Sequence, residues 1–165
     1  MLKHFDENEL FTKRKTVFQY IKEYLSKGPC SPYDFYKFYK EYNKKFPSYN
    51  TVKRYFSILK RLGLIVKEKE IKYENHHFIN KKSFYRLTTL KEFINNFENI
   101  KDMILDINEI KDIYYNDKLK FEDKMKAIME KLWNNPQIIW KSYRNRNKYK
   151  SAEESKKEYR KKKNK

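Results

Sequence analysis

Residues 48–70 read SYNTVKRYFSILKRLGLIVKEKE, and their period changes in the middle. From Ser48 to Leu62 the apolar residues Val52, Tyr55, Phe56, Leu59 and Leu62 fall on one side of a helix turning about 100° per residue. Asn50, Lys53, Arg54, Ser57 and Arg61 fall on the opposite side, with no acid among them. Ser48 suits the cap position before the first turn. Gly63 suits the left-handed position after the last. Leu64-Ile65-Val66 then opens a strand that runs into Lys67-Glu68-Lys69-Glu70 with a period of two. A helix with one buried stripe and a basic outer face, turning through a glycine into a strand, is the expected centre of the fold.

Upstream, residues 12–26 are expected to form a helix whose face is Val17, Phe18, Ile21, Tyr24 and Leu25, stopped by Lys27-Gly28-Pro29. Ser31-Pro32-Tyr33-Asp34 starts a second helix. The serine caps it, the proline suits the first position, and Asp34 stands where a capping-box acid stands. That helix is expected to reach about Asn43, with Phe35, Phe38, Tyr39 and Tyr42 inward, before Phe46-Pro47 breaks it. Downstream of the quoted stretch, Ser83-Phe84-Tyr85-Arg86-Leu87 reads as a returning strand. The polar residues Asn75, His76, His77, Asn80, Lys81 and Lys82 before it read as a long hairpin tip.

Three helices followed by a hairpin, with SYNTVKRYFSILKRLGLIVKEKE leading into the first strand and FYRLT at 84–88 closing the second, resemble the winged-helix superfamily. In many prokaryotic regulators of this superfamily, among them the MarR, ArsR and PadR groups, a similar helix ending in Leu-Gly-Leu-Ile precedes a strand ending in Tyr-x-Leu-Thr. The match covers about half the chain. The tip lacks the glycine turn that many members carry. The resemblance implies an α+β fold, mainly α with a small β-hairpin. Its parts are an arm at 1–11, a winged helix-turn-helix at 12–88, a helical C-terminal extension at 89–143 and a basic tail at 144–165.

The extension opens on the capping box Thr89-Leu90-Lys91-Glu92. Leu90, Phe93, Phe97, Ile100, Ile104 and Ile107 alternate spacings of three and four, which is a heptad seam. With Ile110, Ile113 and Tyr114 continuing it, one helix over 89–115, about 40 Å long, is expected. The seam can pack on the chain's own later helices or on a second copy, and a homodimer is expected from the way such regulators present two helices to one duplex. After the break at Asn116-Asp117, a helix over 119–133 turns Phe121, Met125, Ile128, Leu132 and Trp133 inward. Pro136 starts a short one carrying Ile138, Ile139, Trp140 and Tyr143.

Charge is distributed in blocks. The chain of 165 residues carries +18. Residues 1–88 hold 20 Lys and Arg against 9 Asp and Glu, residues 89–140 hold 8 against 10, and residues 141–165 hold 12 against 3. A uniform lysine bias would spread the excess evenly. Two basic blocks around a near-neutral one point to a polyanion at both ends. A single cysteine, Cys30, excludes an intrachain disulfide, no apolar run is long enough for a membrane span, and MLKHFDENELF is no secretory signal. A cytoplasmic location without membrane attachment is expected.

Little in the sequence suggests an enzyme. The two glycines make no phosphate loop. Cys30 is alone, and its expected state is an inert, semi-buried thiol. His76 and His77 are adjacent, so a strand points them to opposite faces, and no ligand cluster accompanies them; no metal and no cofactor is expected. Glu68, Glu70 and Glu74 read as the wet side of a ribbon. Binding of double-stranded DNA has a geometric basis instead. In a helix-turn-helix the helix at 48–62 enters the major groove. Asn50 can pair with adenine and Arg54 with guanine. Tyr49, Lys53 and Ser57 suit phosphates, Arg61 shares their face, and Lys72, Lys81 and Lys82 of the wing suit the backbone or the minor groove. A transcriptional regulator is the first expectation. A replication or segregation protein of a mobile element would use the same parts, and a winged-helix assembly module is a further class.

Overall fold

The structure, a computed structural model, describes residues 16–43, 45–75 and 78–144. Among them the fold is mainly helical with one two-stranded antiparallel sheet. The arm at 1–11, the first residues of the helix expected at 12–26, the pair His76 and His77 and nearly all of the tail at 144–165 lie outside the described residues.

Helix α1 spans Val17–Leu25. Thr16 caps it reciprocally: Gln19 N–H donates to the Thr16 hydroxyl, and Thr16 N–H donates to Gln19 Oε1 at 2.9 Å. Helix α2 spans Pro32–Lys40, with the Ser31 hydroxyl accepting from Asp34 N–H at 3.1 Å. It ends short of the expected Asn43. That residue uses its own side chain to accept from Lys45 N–H at 3.0 Å, a local turn that competes with another helical turn. Helix α3 spans Tyr49–Arg61, capped by Ser48 through Thr51 N–H. Its end is a two-bond cap, with Leu64 N–H donating to Leu59 C=O at 3.0 Å and Gly63 N–H to Lys60 C=O at 3.1 Å. Gly63 sits at φ 73°, a left-handed conformation that favours glycine, and a Cβ there would make the end of the Asn96 side chain, 2.8 Å away, turn aside.

The hairpin is longer than expected. Strand β1 spans Ile65–Asn75 and β2 spans Phe78–Leu87. Asn80, Lys81 and Lys82, read as loop, are strand residues facing Tyr73, Lys72 and Ile71 across the ladder. Beyond Val66 the first strand is exposed as far as Lys72. A ribbon standing in water shows no apolar alternation, so only the backbone ladder defines it. Pairing shifts between Lys67 and Lys69, leaving Glu68 as a bulge. Near its base the ribbon is pinned to the turn between α1 and α2. Cys30 N–H donates to Tyr85 C=O at 3.1 Å, and Tyr85 N–H to Cys30 C=O at 2.9 Å.

The single long helix expected over 89–115 is two helices, α4 at Leu90–Ile104 and α5 at Asn108–Tyr114. In one continuous helix Phe97 and Tyr114 would stand roughly 25 Å apart. Their ring centroids are 5.6 Å apart because the chain reverses through Leu105–Ile107, where Ile107 is extended. Helix α6 spans Phe121–Asn134, and residues 136–144 are again helical. Phe121, expected inward, lies 53% exposed at the first turn of α6, and Ile138 is also exposed while Ile139 beside it is buried.

Helix α6 packs on α1, α4 and α5. The buried side chains form one cluster running from Phe18 and Ile21 through Phe35, Tyr39, Phe56 and Leu59 to Phe97, Met125, Leu132 and Ile139. The seam residues Phe93, Phe97, Ile100 and Ile104 are buried within this cluster, with Leu90 and Ile107 half-buried against it. The chain's own helices cover the seam, so a second copy would have to meet another surface. The second half therefore docks behind α1 and leaves the polar side of α3 open, where Asn50, Lys53, Arg54, Ser57, Lys60 and Arg61 are all exposed. Among the described residues no helix is long and apolar enough to cross a membrane.

Candidate nucleic-acid interface

The outer residues of α3 divide into two stripes. Tyr49, Lys53, Ser57 and Lys60 recur at three- and four-residue spacing and turn toward the hairpin. Asn50, Arg54 and Arg61 lie beside them, within about 40° of one another around the helix, and turn away from it.

The first stripe forms one wall of a groove of about 340 Å³. The start of α2, through Ser31, Pro32 and Tyr33, forms its floor, and Lys81, Lys82, Ser83 and Tyr85 of β2 form the other wall. Its lining contains four lysines, Lys53, Lys60, Lys81 and Lys82, and no carboxylate. Lys60 was not among the residues expected here. Its spacing of seven from Lys53 was the available signal, but a helical period does not say which part of a polar arc faces a neighbouring strand. Lys72, the other expected wing residue, stands directly opposite Lys81 in the ladder. Two like charges at that spacing repel and favour a shared anion. Glu70 is bonded to Lys67 Nζ at 3.1 Å, and the charges of Lys81 and Lys72 add to that bond in holding its carboxyl below the usual range, so it offsets part of their repulsion.

Aromatic rings hold the mouth of the groove. Tyr49 packs edge-on against Tyr33 at 5.5 Å and at a tilt against Tyr36 at 5.6 Å, and Lys53 Nζ lies 4.9 Å from the Tyr49 ring centroid. Burial pushes the Tyr49 phenol above its ordinary range, against the pull of Lys82. It therefore stays protonated and able to donate to a phosphate.

Lys82 differs from the other three lysines. Its Nζ lies 3.0 Å from Asp34 Oδ1, and it also sits 5.3 Å from the Phe84 ring centroid. Partial burial alone would raise the Asp34 carboxyl, but hydrogen bonds from Lys82 and Ser31 outweigh it and hold the group below the usual carboxylate range. Asp34 thus stays ionised and neutralises Lys82. Among the described residues, Lys53, Lys60 and Lys81 form no ion pair. Arg61 is also engaged, with its guanidinium 5.1 Å from the ring centroid of Trp140 in the last helical segment. Asn50 and Arg54 remain exposed near the capped start of α3, one turn apart, as the sequence reading had them.

Cys30 is buried, and burial, with the nearby charge of Asp34, pushes its thiol up to about 12. Among the described residues no group of three His, Cys, Asp or Glu is placed to hold a metal ion. Compared with protein-family models, with curated proteins and with solved structures, the chain shows no match.

Proposed function

We propose that this chain is a winged-helix DNA-binding protein, a sequence-specific regulator that reads the major groove with α3 and holds the backbone with the β1–β2 wing. The observation that carries this reading is the groove between α3 and β2, lined by four lysines and no carboxylate. In water such a cluster repels itself, and phosphates relieve the repulsion while releasing counterions. A protein-docking face would more often be apolar at its centre. The groove mixes aromatic rings with four lysines and no carboxylate, and that one-signed charge disfavours the assembly-module alternative.

The roles follow from position. Lys53, Lys60, Lys81 and Lys72 supply phosphate contacts, and the Tyr49 and Ser57 hydroxyls add neutral donors. Asn50 and Arg54, on the neighbouring stripe, supply bidentate contacts to base edges. The chain acts in the cytoplasm, and any pairing of two copies uses surfaces other than the enclosed seam.

The test is selection of genomic DNA fragments by the purified full-length protein, followed by titration of a recovered fragment and of unrelated duplex. A shared motif is expected among the fragments. With six to ten phosphate contacts, affinity should fall by roughly 10³-fold or more between 50 and 200 mM salt. Recovery of unrelated fragments would remove sequence specificity from the reading. A response flat in salt would remove DNA.

A further inference from the structure

The groove beside the wing accounts for one flank of α3 only. An α-helix with its side chains is about 10–12 Å across and the major groove of a duplex is about 12 Å wide, so a helix lying in it has a row of phosphates against each flank. Lys53, Lys60 and Lys81 face one row. The flank turned away from the hairpin needs cations of its own.

That flank is bordered by the last helical segment, residues 136–144. The Arg61 guanidinium at the end of α3 lies 5.1 Å from the Trp140 ring centroid. Ile58, about 60° round α3 from Arg61 on the side away from the hairpin, is buried in the same cluster as Ile139. Pro136 and Ile139 form the buried side of the segment. From there its surface turns outward through half-buried Trp140 to Arg144, one turn on and about 40° further round, and then to Lys141. Arg61, Lys141 and Arg144 are all exposed. Neither residues 48–62 nor residues 136–144 include an acid, so this edge has one sign of charge. The sequence that follows, residues 145–165, continues the excess with ten Lys and Arg against three acids. A guanidinium over an indole face keeps its charge and its in-plane N–H donors, in contrast to Lys82, which Asp34 neutralises.

We infer that the last helical segment is a second DNA-backbone contact, with Arg61, Lys141 and Arg144 taking phosphates of the strand on the far side of α3 from the wing. The inference rests on the proposed DNA-binding function and gives the segment a role that reading leaves open. Holding both rows of phosphates fixes the rotation of α3 about its own axis. Asn50 and Arg54, on the arc between the two flanks, are thereby turned to the base edges.

The test compares salt slopes of the full-length protein on one duplex of about 20 base pairs. The variants are Lys141→Gln with Arg144→Gln, Lys60→Gln with Lys81→Gln, and all four together. Lys111→Gln with Lys118→Gln removes two charges elsewhere, and every substituted residue is exposed, so the fold is kept. Loss of two phosphate contacts flattens the slope by about 1.8, which over a fourfold change in salt is a roughly 12-fold smaller loss of affinity. Each of the first two pairs should flatten the slope by about this amount, the four substitutions together by about twice as much, and the Lys111 and Lys118 pair not at all. A flatter slope for the groove pair with none for Lys141 and Arg144 would overturn the inference and leave the DNA-binding reading standing. A native slope near zero, or no change from either pair, would remove that reading and the inference with it. Four substitutions no flatter than the groove pair alone would mean that one row of phosphates serves both, and the second contact would fall. Equal flattening in the Lys111 and Lys118 pair would overturn it as well, because net charge alone would then set the slope.

Discussion

Replacing Asp34 by Asn should make this protein bind DNA more tightly and with a steeper dependence on salt. The carboxylate holds Lys82 at 3.0 Å on the wall of the groove, so among the described residues the native surface offers Lys53, Lys60 and Lys81 without an ion pair and keeps a fourth lysine neutralised. Asn preserves the shape and releases that fourth charge. Each added phosphate contact steepens the plot of log affinity against log salt by about 0.9, which over a fourfold change in salt is an extra loss of roughly 3.5-fold. The cost to the fold is small. The ion pair is about one-third exposed on both sides, which limits it to about 1 kcal/mol or less. The negative charge in the first turn of α2 contributes about 0.3–1 kcal/mol more. The Ser31 cap survives because Ser31 bonds the Asp34 backbone N–H, which the substitution leaves in place. The assay is fluorescence anisotropy of a labelled duplex of about 20 base pairs at several salt concentrations from 50 to 200 mM. Asp102→Asn on exposed α4 makes the same change in net charge away from the groove. A slope unchanged or shallower in folded Asp34→Asn would refute the assignment of this wall to DNA. The same steepening in Asp102→Asn would reduce the effect to overall charge.

Other expectations follow from the same geometry. Asn50→Ala or Arg54→Ala should each cost about 1–3 kcal/mol on a selected site and less on random duplex, whereas Lys60→Ala should weaken both alike and flatten the salt slope by about one unit; titrations on the two duplexes separate these outcomes. Glu92 receives hydrogen bonds from Arg86 at 2.7 and 2.9 Å and from the Thr89 backbone, which hold it at about 2, below its ordinary 4.5. Its contribution to stability is complete above about pH 4.5 and is lost as the pH falls toward 2, so urea titrations across that range should show a shallower decline in Glu92→Gln than in the native chain. Burial and the high thiol value make Cys30 inert, and a disulfide reagent at pH 8 should label it only on unfolding in urea; rapid labelling of the native protein would contradict its placement. Phe97→Ala should lower unfolding free energy by about 3–5 kcal/mol and leave the sedimentation of the folded protein unchanged. Dissociation of an oligomer at unaltered stability would instead return the seam to an interface between chains.

Much of this molecule was legible one turn at a time. The caps at Ser31, Ser48 and Thr89, the glycine that closes α3 and the two faces of α3 depend on contacts within a few residues, and residue type and spacing report those directly. The exposure of Asn50 and Arg54 was legible the same way, since exposure on a capped helix follows from periodicity. The hairpin was legible at its base, where Ile65 is buried, and illegible beyond Val66, where a solvated ribbon has no buried face to impose a pattern.

Three matters were decided only by the tertiary structure. The heptad seam of α4 has the same spacing whether it meets a second copy or α6 of its own chain, and the reversal at Leu105–Ile107, which packs Tyr114 on Phe97, is written in no periodicity. The division of the α3 polar arc, which brings Lys60 to the groove and sends Arg61 to Trp140, depends on where β2 and the last helical segment lie. Neutralisation of Lys82 by Asp34 joins residues 48 apart in the chain. Periodicity and capping act within a turn or two of the backbone, whereas the charge a groove presents is set by which distant side chains come within about 4 Å of each other, and folding alone fixes that.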